Sequence, residues 1–273
     1  MSRVQCNERF PVDTAIITTI TIIAYLVITT GYFRLLSTRD RRVKSVLNTL
    51  TILPLALHGY ELHHLIDTGS GQNLAYFNLL SMTLWLIAII VLGFNFKKQL
   101  SRLMLLVLPL CALSLLLIHF VPGEYVVDAS SPGFLIHTLI SLATLSILGV
   151  ASAQALFVSR LDKQLKSNSA PGENVPALQD MESFLYGLIY ASFAFLTLTI
   201  ASALIFLTGG TGSVSLHKPV LSVIAWLVLG YFIYGRIRFG WRAMTAVRFT
   251  LSGFILLFLA YFGTRTVLEF ILG

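Results

Sequence analysis

Residues 74–121 read LAYFNLLSMTLWLIAIIVLGFNFKKQLSRLMLLVLPLCALSLLLIHFV. Two charge-free apolar runs, 74–95 and 103–121, flank a short basic linker that holds Lys97, Lys98 and Arg102. Each run is close to the ~20 residues a helix needs to cross the hydrocarbon core of a bilayer. Similar runs recur outward from this stretch, at 14–33 and 45–60 before it and at 133–158, 183–208, 219–235 and 249–264 after it. The second run reaches Ile66 if Glu61 is accepted inside a helix, and the last can carry Arg265 and Glu269 as a neutralising i, i+4 pair. The pattern predicts an all-α fold: one polytopic membrane helix bundle over residues 1–273, with about eight transmembrane helices. Composition agrees, since 56% of the chain is hydrophobic and 11% charged, too few charges to clothe a soluble surface.

The basic residues fix an orientation. Arg34, Arg39, Arg41, Arg42 and Lys44 follow the first run, Lys97, Lys98 and Arg102 the third, Arg160, Lys163 and Lys166 the fifth, and Arg236, Arg238, Arg242 and Arg248 the seventh. These loops hold 15 of the 19 Lys and Arg residues, so the positive-inside rule places them in the cytoplasm and both termini outside. Orientation therefore accounts for the net charge of +7, and no nucleic-acid surface is needed. The polar start, with Arg3, Glu8 and Arg9, is unlike a secretory signal, and no cleavage is expected. Cys6 and Cys111 lie too far apart for a metal or redox motif, and there is no C-x-x-C-H for covalent haem attachment.

One linker stands out: residues 159–182, polar and turn-rich, read as a flexible cytoplasmic loop. The Gly209-Gly210-Thr211-Gly212 cluster follows a membrane helix and lacks the downstream Lys-Ser/Thr of a phosphate-binding loop. Pro54 and Pro109 fall within runs and kink them, Pro54 one turn before His58.

All six histidines then fall in the outer half. His63, His64 and His119 stand at span ends, His137 opens the fifth span, His217 precedes the seventh, and His58 lies about eight residues inside the second. Ionisable side chains within a membrane are costly and read as functional, and neutral imidazole is a good ligand for haem iron. His58, His137 and His217 are the candidate iron ligands, and Trp226 is a candidate wall for a flat ligand. The plainer alternative is that each imidazole hydrogen-bonds a neighbouring helix and that Trp226 packs between helices. A different use would be a metal-ion or proton path, because His58, Glu61, His64 and Asp67 follow i, i+3, i+6 spacing.

The C-terminal stretch HKPVLSVIAWLVLGYFIYGRIRFGWRAMTAVRFTLSGFILLFLAYFGTRTVLE resembles the end of the cytochrome c assembly protein family. SPGFLIHTLISL and the following LGVASAQALFVSR resemble an earlier helix of that family, which opens on an outward-facing histidine. The likeness is strongest over 131–269 and points to the eight-span YpjD- and HemX-like branch. It implies noncovalent haem b handled at the outer face of the bacterial cytoplasmic (inner) membrane, in or beside c-type cytochrome maturation and with its other components as possible partners. The outer histidine maps onto His137, His217 falls near the end of the family's haem platform, and His58 matches an intramembrane histidine. The tryptophan-rich W-G-x-x-W-x-W-D signature is absent before Leu216 and no histidine follows the last span. The resemblance therefore implies haem binding, transfer or regulation without bond-making catalysis.

Overall fold

Charge and proline positions set where helices begin and end in the computed structural model of the chain, which describes residues 12–38, 40–69, 71–127, 132–167, 178–208, 217–263 and 266. Among the described residues there are eight α-helices: α1 (Val12–Thr38), α2 (Arg41–Ile66), α3 (Tyr76–Asn95), α4 (Ser101–Phe120), α5 (Pro132–Lys166), α6 (Leu178–Thr208), α7 (His217–Phe239) and α8 (Ala243–Phe258). A π-helical turn, Leu259–Gly263, prolongs α8, and two-residue strands β1 (Gln72–Asn73) and β2 (Val126–Val127) lie in loops. Each helix overlaps one of the eight charge-free runs over most of its length. Asp40 caps α2 by accepting the Arg42 amide at 2.7 Å, and Pro132, which needs no amide partner, opens α5.

Among the described residues seven helices are long and apolar enough to cross a membrane, and the protein is a polytopic helical membrane protein. The remaining helix, α2, has 26 residues but is less apolar because Asn48, Thr51, His58 and Glu61 lie along it, and all four are buried. A helix that turns its polar face inward can still lie among lipid-facing neighbours.

The helices group into two compact units, Met1–Tyr125 and Val126–Gly273. In the first, α1 packs on α2 and α4, and α3 closes the ring against α2 and α4. In the second, α5 packs on α6 and α8, and α7 closes the ring against α6 and α8. On α1 the buried positions Thr21, Tyr25, Ile28, Tyr32 and Leu35 form one stripe, while Ile16, Ile20, Ile23 and Val27 face outward. This is the inverse of a soluble helix. Lipid solvates apolar side chains as well as a core would, so hydrogen bonds and close packing hold such helices together.

Close packing is evident where Trp85 of α3 meets α2. Its indole Nε1 donates to the Leu55 carbonyl at 2.8 Å, one residue past Pro54. The ring fits because Gly59 has no side chain: a Cβ there would stand 2.7 Å from Trp85 Cζ2. Gly59→Ala is therefore expected to overpack this contact and lower stability by about 1–3 kcal/mol. Thermal unfolding of the detergent-solubilised protein measures it, and an unchanged midpoint would show that the α2–α3 contact yields freely.

The connection around 159–182 is shorter than its composition implies. Helix α5 continues through Lys166, where an Asp162–Lys166 ion pair of 2.7 Å bridges one turn, and α6 begins at Leu178. The glycine cluster at 209–212, Cys6 and the Arg265–Glu269 pair lie outside the described residues.

Candidate functional site

In the first unit the polar side chains of all four helices meet at His58. Tyr25 Oη of α1 lies 3.0 Å from its Nδ1 and Ser81 Oγ of α3 lies 2.9 Å from its Nε2. Ser81 is in turn 2.8 Å from Ser114 Oγ of α4, which donates to the Cys111 carbonyl at 2.8 Å. The imidazole is fully buried, so both ring nitrogens need partners, and both have them. His58 thus sits at a hydrogen-bond node, and iron coordination would require Ser81 or Tyr25 to turn away. Sequence spacing placed His58 inside the bundle but gave no hint of Tyr25, Ser81 or Ser114, which are single hydroxyls scattered through apolar runs.

Glu61, one turn on, accepts from Thr18 at 3.1 Å and Thr21 at 3.0 Å. His64 and Asp67 are exposed, and His64 packs edge-on against Tyr60. The four residues therefore do not form one ladder. Steps of three residues drift by roughly 60° each around a helix of 3.6 residues per turn, so they spread over half its circumference. Toward the other end of the unit, Tyr32 donates to Asn48 Oδ1 at 2.7 Å and Asn95 Nδ2 donates to the same oxygen at 2.8 Å. Asn95 Oδ1 accepts the buried Leu100 amide at 2.9 Å, which pins the start of α4.

The second unit builds a different imidazole site. His137, one turn into α5 and part-buried, lies 2.8 Å through Nδ1 from Ser202 Oγ of α6. Its Nε2 meets Ser141, one turn further along α5, at 3.4 Å, near the outer limit of a hydrogen bond. Tyr261, on the π turn beyond α8, lies beside Ser141. Extra backbone residues of this kind interrupt helices most often at functional positions. A hydrogen bond at one nitrogen fixes the orientation of the ring, as it does in histidines that take a ligand. Deeper in the same face, Thr144 and Thr199 join α5 to α6 at 2.9 Å.

The other candidates are placed as follows. Trp226 on α7 stacks on Phe193 of α6, with centroids 5.4 Å apart, and its Nε1 donates to Thr197 Oγ1 at 2.9 Å. His217 is the first residue of α7, and its side chain lies outside the described residues. His63 and His119 are exposed at helix ends. Among the described residues no group of three or more His, Cys, Asp and Glu is gathered to hold a bare metal ion. A haem makes a different demand, one or two axial imidazoles and a flat apolar slot, and a part-buried His137 suits it.

The architecture defines a multi-pass helical membrane protein with an imidazole node in each of two four-helix units. The sequence matches the family described as Cytochrome C assembly protein over residues 46–272, and the chain belongs to that family. The match begins within α2 and reaches further toward the N-terminus than the stretch 131–269 whose motifs carry the resemblance. The chain is 30% identical over 224 residues to the Inner membrane protein YpjD of Escherichia coli (strain K12), covering 81% of this chain and 85% of that protein. It is also 30% identical over 154 residues to an uncharacterized 28.8 kDa protein of Azospirillum brasilense, covering 54% of this chain and 57% of that one. No solved structure matches it. Spanning helices and relatives together make it a multi-pass protein of the bacterial cytoplasmic (inner) membrane.

Proposed function

We propose that this protein binds haem b noncovalently at the extracytoplasmic end of its second unit and serves c-type cytochrome assembly by holding or passing on haem, without catalysis. The observation that carries the reading is the part-buried His137, oriented through Nδ1 by Ser202 Oγ at 2.8 Å. Such a hold sets which nitrogen keeps its partner and orients the other toward a ligand. His217 is the proposed second axial ligand, and Trp226 the proposed aromatic wall. His58 is the further, intramembrane candidate. The basic loops after α1, α3, α5 and α7 support an orientation with both termini outside, which puts the start of α5 at the outer face. Bound haem would supply an iron centre with a characteristic absorption, while the protein's part is to bind, orient and shield it.

The test is spectroscopic. Purified protein reconstituted with haem is expected to show a b-type Soret band, reduced at least roughly tenfold in His137→Ala, as loss of an axial ligand requires. His217→Ala is expected to weaken the band and change its spin-state signature. A protein that stays colourless after reconstitution would remove haem from the account and leave transport through the polar interior of the first unit as the reading to pursue.

A further inference from the structure

Far from His137, at the other end of the second unit, the start of α6, the end of α7 and the turn into α8 enclose an open cavity of about 1120 Å³. We propose that this cavity binds the phosphodiester headgroup of an anionic phospholipid, gripped by Arg236, Arg242 and the Tyr186 hydroxyl. Arg236 is fixed in place: its guanidinium carbon lies 3.2 Å from the centre of the Tyr186 ring and one Nη donates to the Trp241 carbonyl at 3.1 Å. A guanidinium has five N–H donors, so that single bond leaves the fork able to hold a phosphate. Arg242 is exposed on the cavity wall, and among the described residues neither arginine forms an ion pair.

The second observation is independent of the charges. Tyr186 is 6% exposed, yet its buried hydroxyl has no hydrogen-bond partner among the described residues, and Tyr186 lines the cavity. Buried hydroxyls are normally satisfied; Arg236 and Glu182 lie near this one without forming a well-aligned bond to it, so it is open to a phosphate oxygen brought from outside. The amides that open α8 have no side-chain cap either, and they add the positive end of a helix dipole next to Arg242.

Charge and surroundings select the ligand. Two arginines against Glu182, the carboxylate in the lining, leave one net positive charge, the complement of a monoanionic phosphodiester. The rim carries Ile237, 76% exposed, and Tyr190, 41% exposed. That surface suits acyl chains rising from a headgroup and would be wasted on a free anion in water.

The experiment is native mass spectrometry of the full chain in detergent, titrated in turn with phosphatidylglycerol, phosphatidylcholine and sn-glycerol 3-phosphate. One phosphatidylglycerol should be retained, with phosphatidylcholine bound roughly tenfold more weakly because its ammonium meets Arg236 and Arg242. Arg242→Gln, on an exposed position that leaves the fold intact, should cut retention roughly tenfold, and Tyr186→Phe roughly threefold. Retention unchanged in both variants, or phosphatidylcholine bound equally well, overturns the site. Displacement of the lipid by equimolar sn-glycerol 3-phosphate overturns the lipid assignment in favour of a soluble phosphate ester. None of these readouts involves His137, so the haem reading stands or falls separately.

Discussion

Replacing His58 by leucine is expected to destabilise the first unit by about 2–4 kcal/mol, although leucine is the residue a membrane interior otherwise favours. The magnitude follows from what each partner retains. A hydrogen bond between membrane helices contributes roughly 0.6–1.7 kcal/mol, because the separated helices find other partners, whereas a buried polar group left alone costs about 1–3 kcal/mol. Ser81 keeps Ser114 at 2.8 Å, so on that side the loss is one bond. Tyr25 is fully buried and loses the one partner seen at its hydroxyl, so on that side the larger penalty applies. Ser81→Ala, by the same logic, should cost about 1–3 kcal/mol, because Ser114 still bonds the Cys111 carbonyl but the buried His58 Nε2 is left without its partner. Denaturant unfolding followed by Trp85 emission, with Trp226 and Trp241 changed to phenylalanine, reports on the unit concerned. If His58→Leu unfolds with the parent while losing haem absorbance, His58 is an iron ligand first and the hydroxyl node is incidental.

The second large effect is expected at Asn95. Its carboxamide does two jobs at once, accepting the buried Leu100 amide and donating to Asn48 Oδ1, which also receives the Tyr32 hydroxyl. Leucine at this position strands a backbone N–H at the start of α4 and removes one of the two donors that hold Asn48. We expect a loss of about 2–3 kcal/mol, larger than a single interhelical bond allows, because the stranded amide cannot find another partner in the same turn. Hydrogen exchange at the α3–α4 connection measures it directly. Protection there should fall well before the middle of α3 is affected, and an unaltered Leu100 amide would show that water or another carbonyl replaces the asparagine.

How much of this is legible in the sequence depends on whether a feature is local. The helices are, because a run without charge long enough to span is a property of consecutive residues, and each of the eight runs contains the greater part of one helix. Lipid exposure is legible for the same reason. His137 and His58 stand out because imidazoles in apolar runs are rare, and the family motifs single out His137 again. Their partners do not. Tyr25, Ser81 and Ser202 are ordinary helix residues whose significance comes from which helix lies opposite, and chain order does not say that α1 packs on α4. The 159–182 connection misleads in the other direction: its polar composition hides an α5 that continues to Lys166 on an i, i+4 pair. Asn73 is a comparable omission. It looks like a turn residue, yet its carboxamide clips two loops by accepting the Tyr125 amide at 2.9 Å and donating to the Gly123 carbonyl at 3.2 Å.

The two threonines that face Glu61 each have a second acceptor within reach, since Thr18 lies 2.9 Å from the Thr14 carbonyl and Thr21 lies 2.8 Å from the Ile17 carbonyl. A hydroxyl carries one proton, so each can swivel from the carboxylate to its own backbone and remain satisfied if α1 lifts from α2 at that level. Tyr25, a turn further along, has no fallback of this kind. The first three turns of α1 can therefore peel away like the free end of a zip fastener whose first locked tooth is the Tyr25–His58 pair.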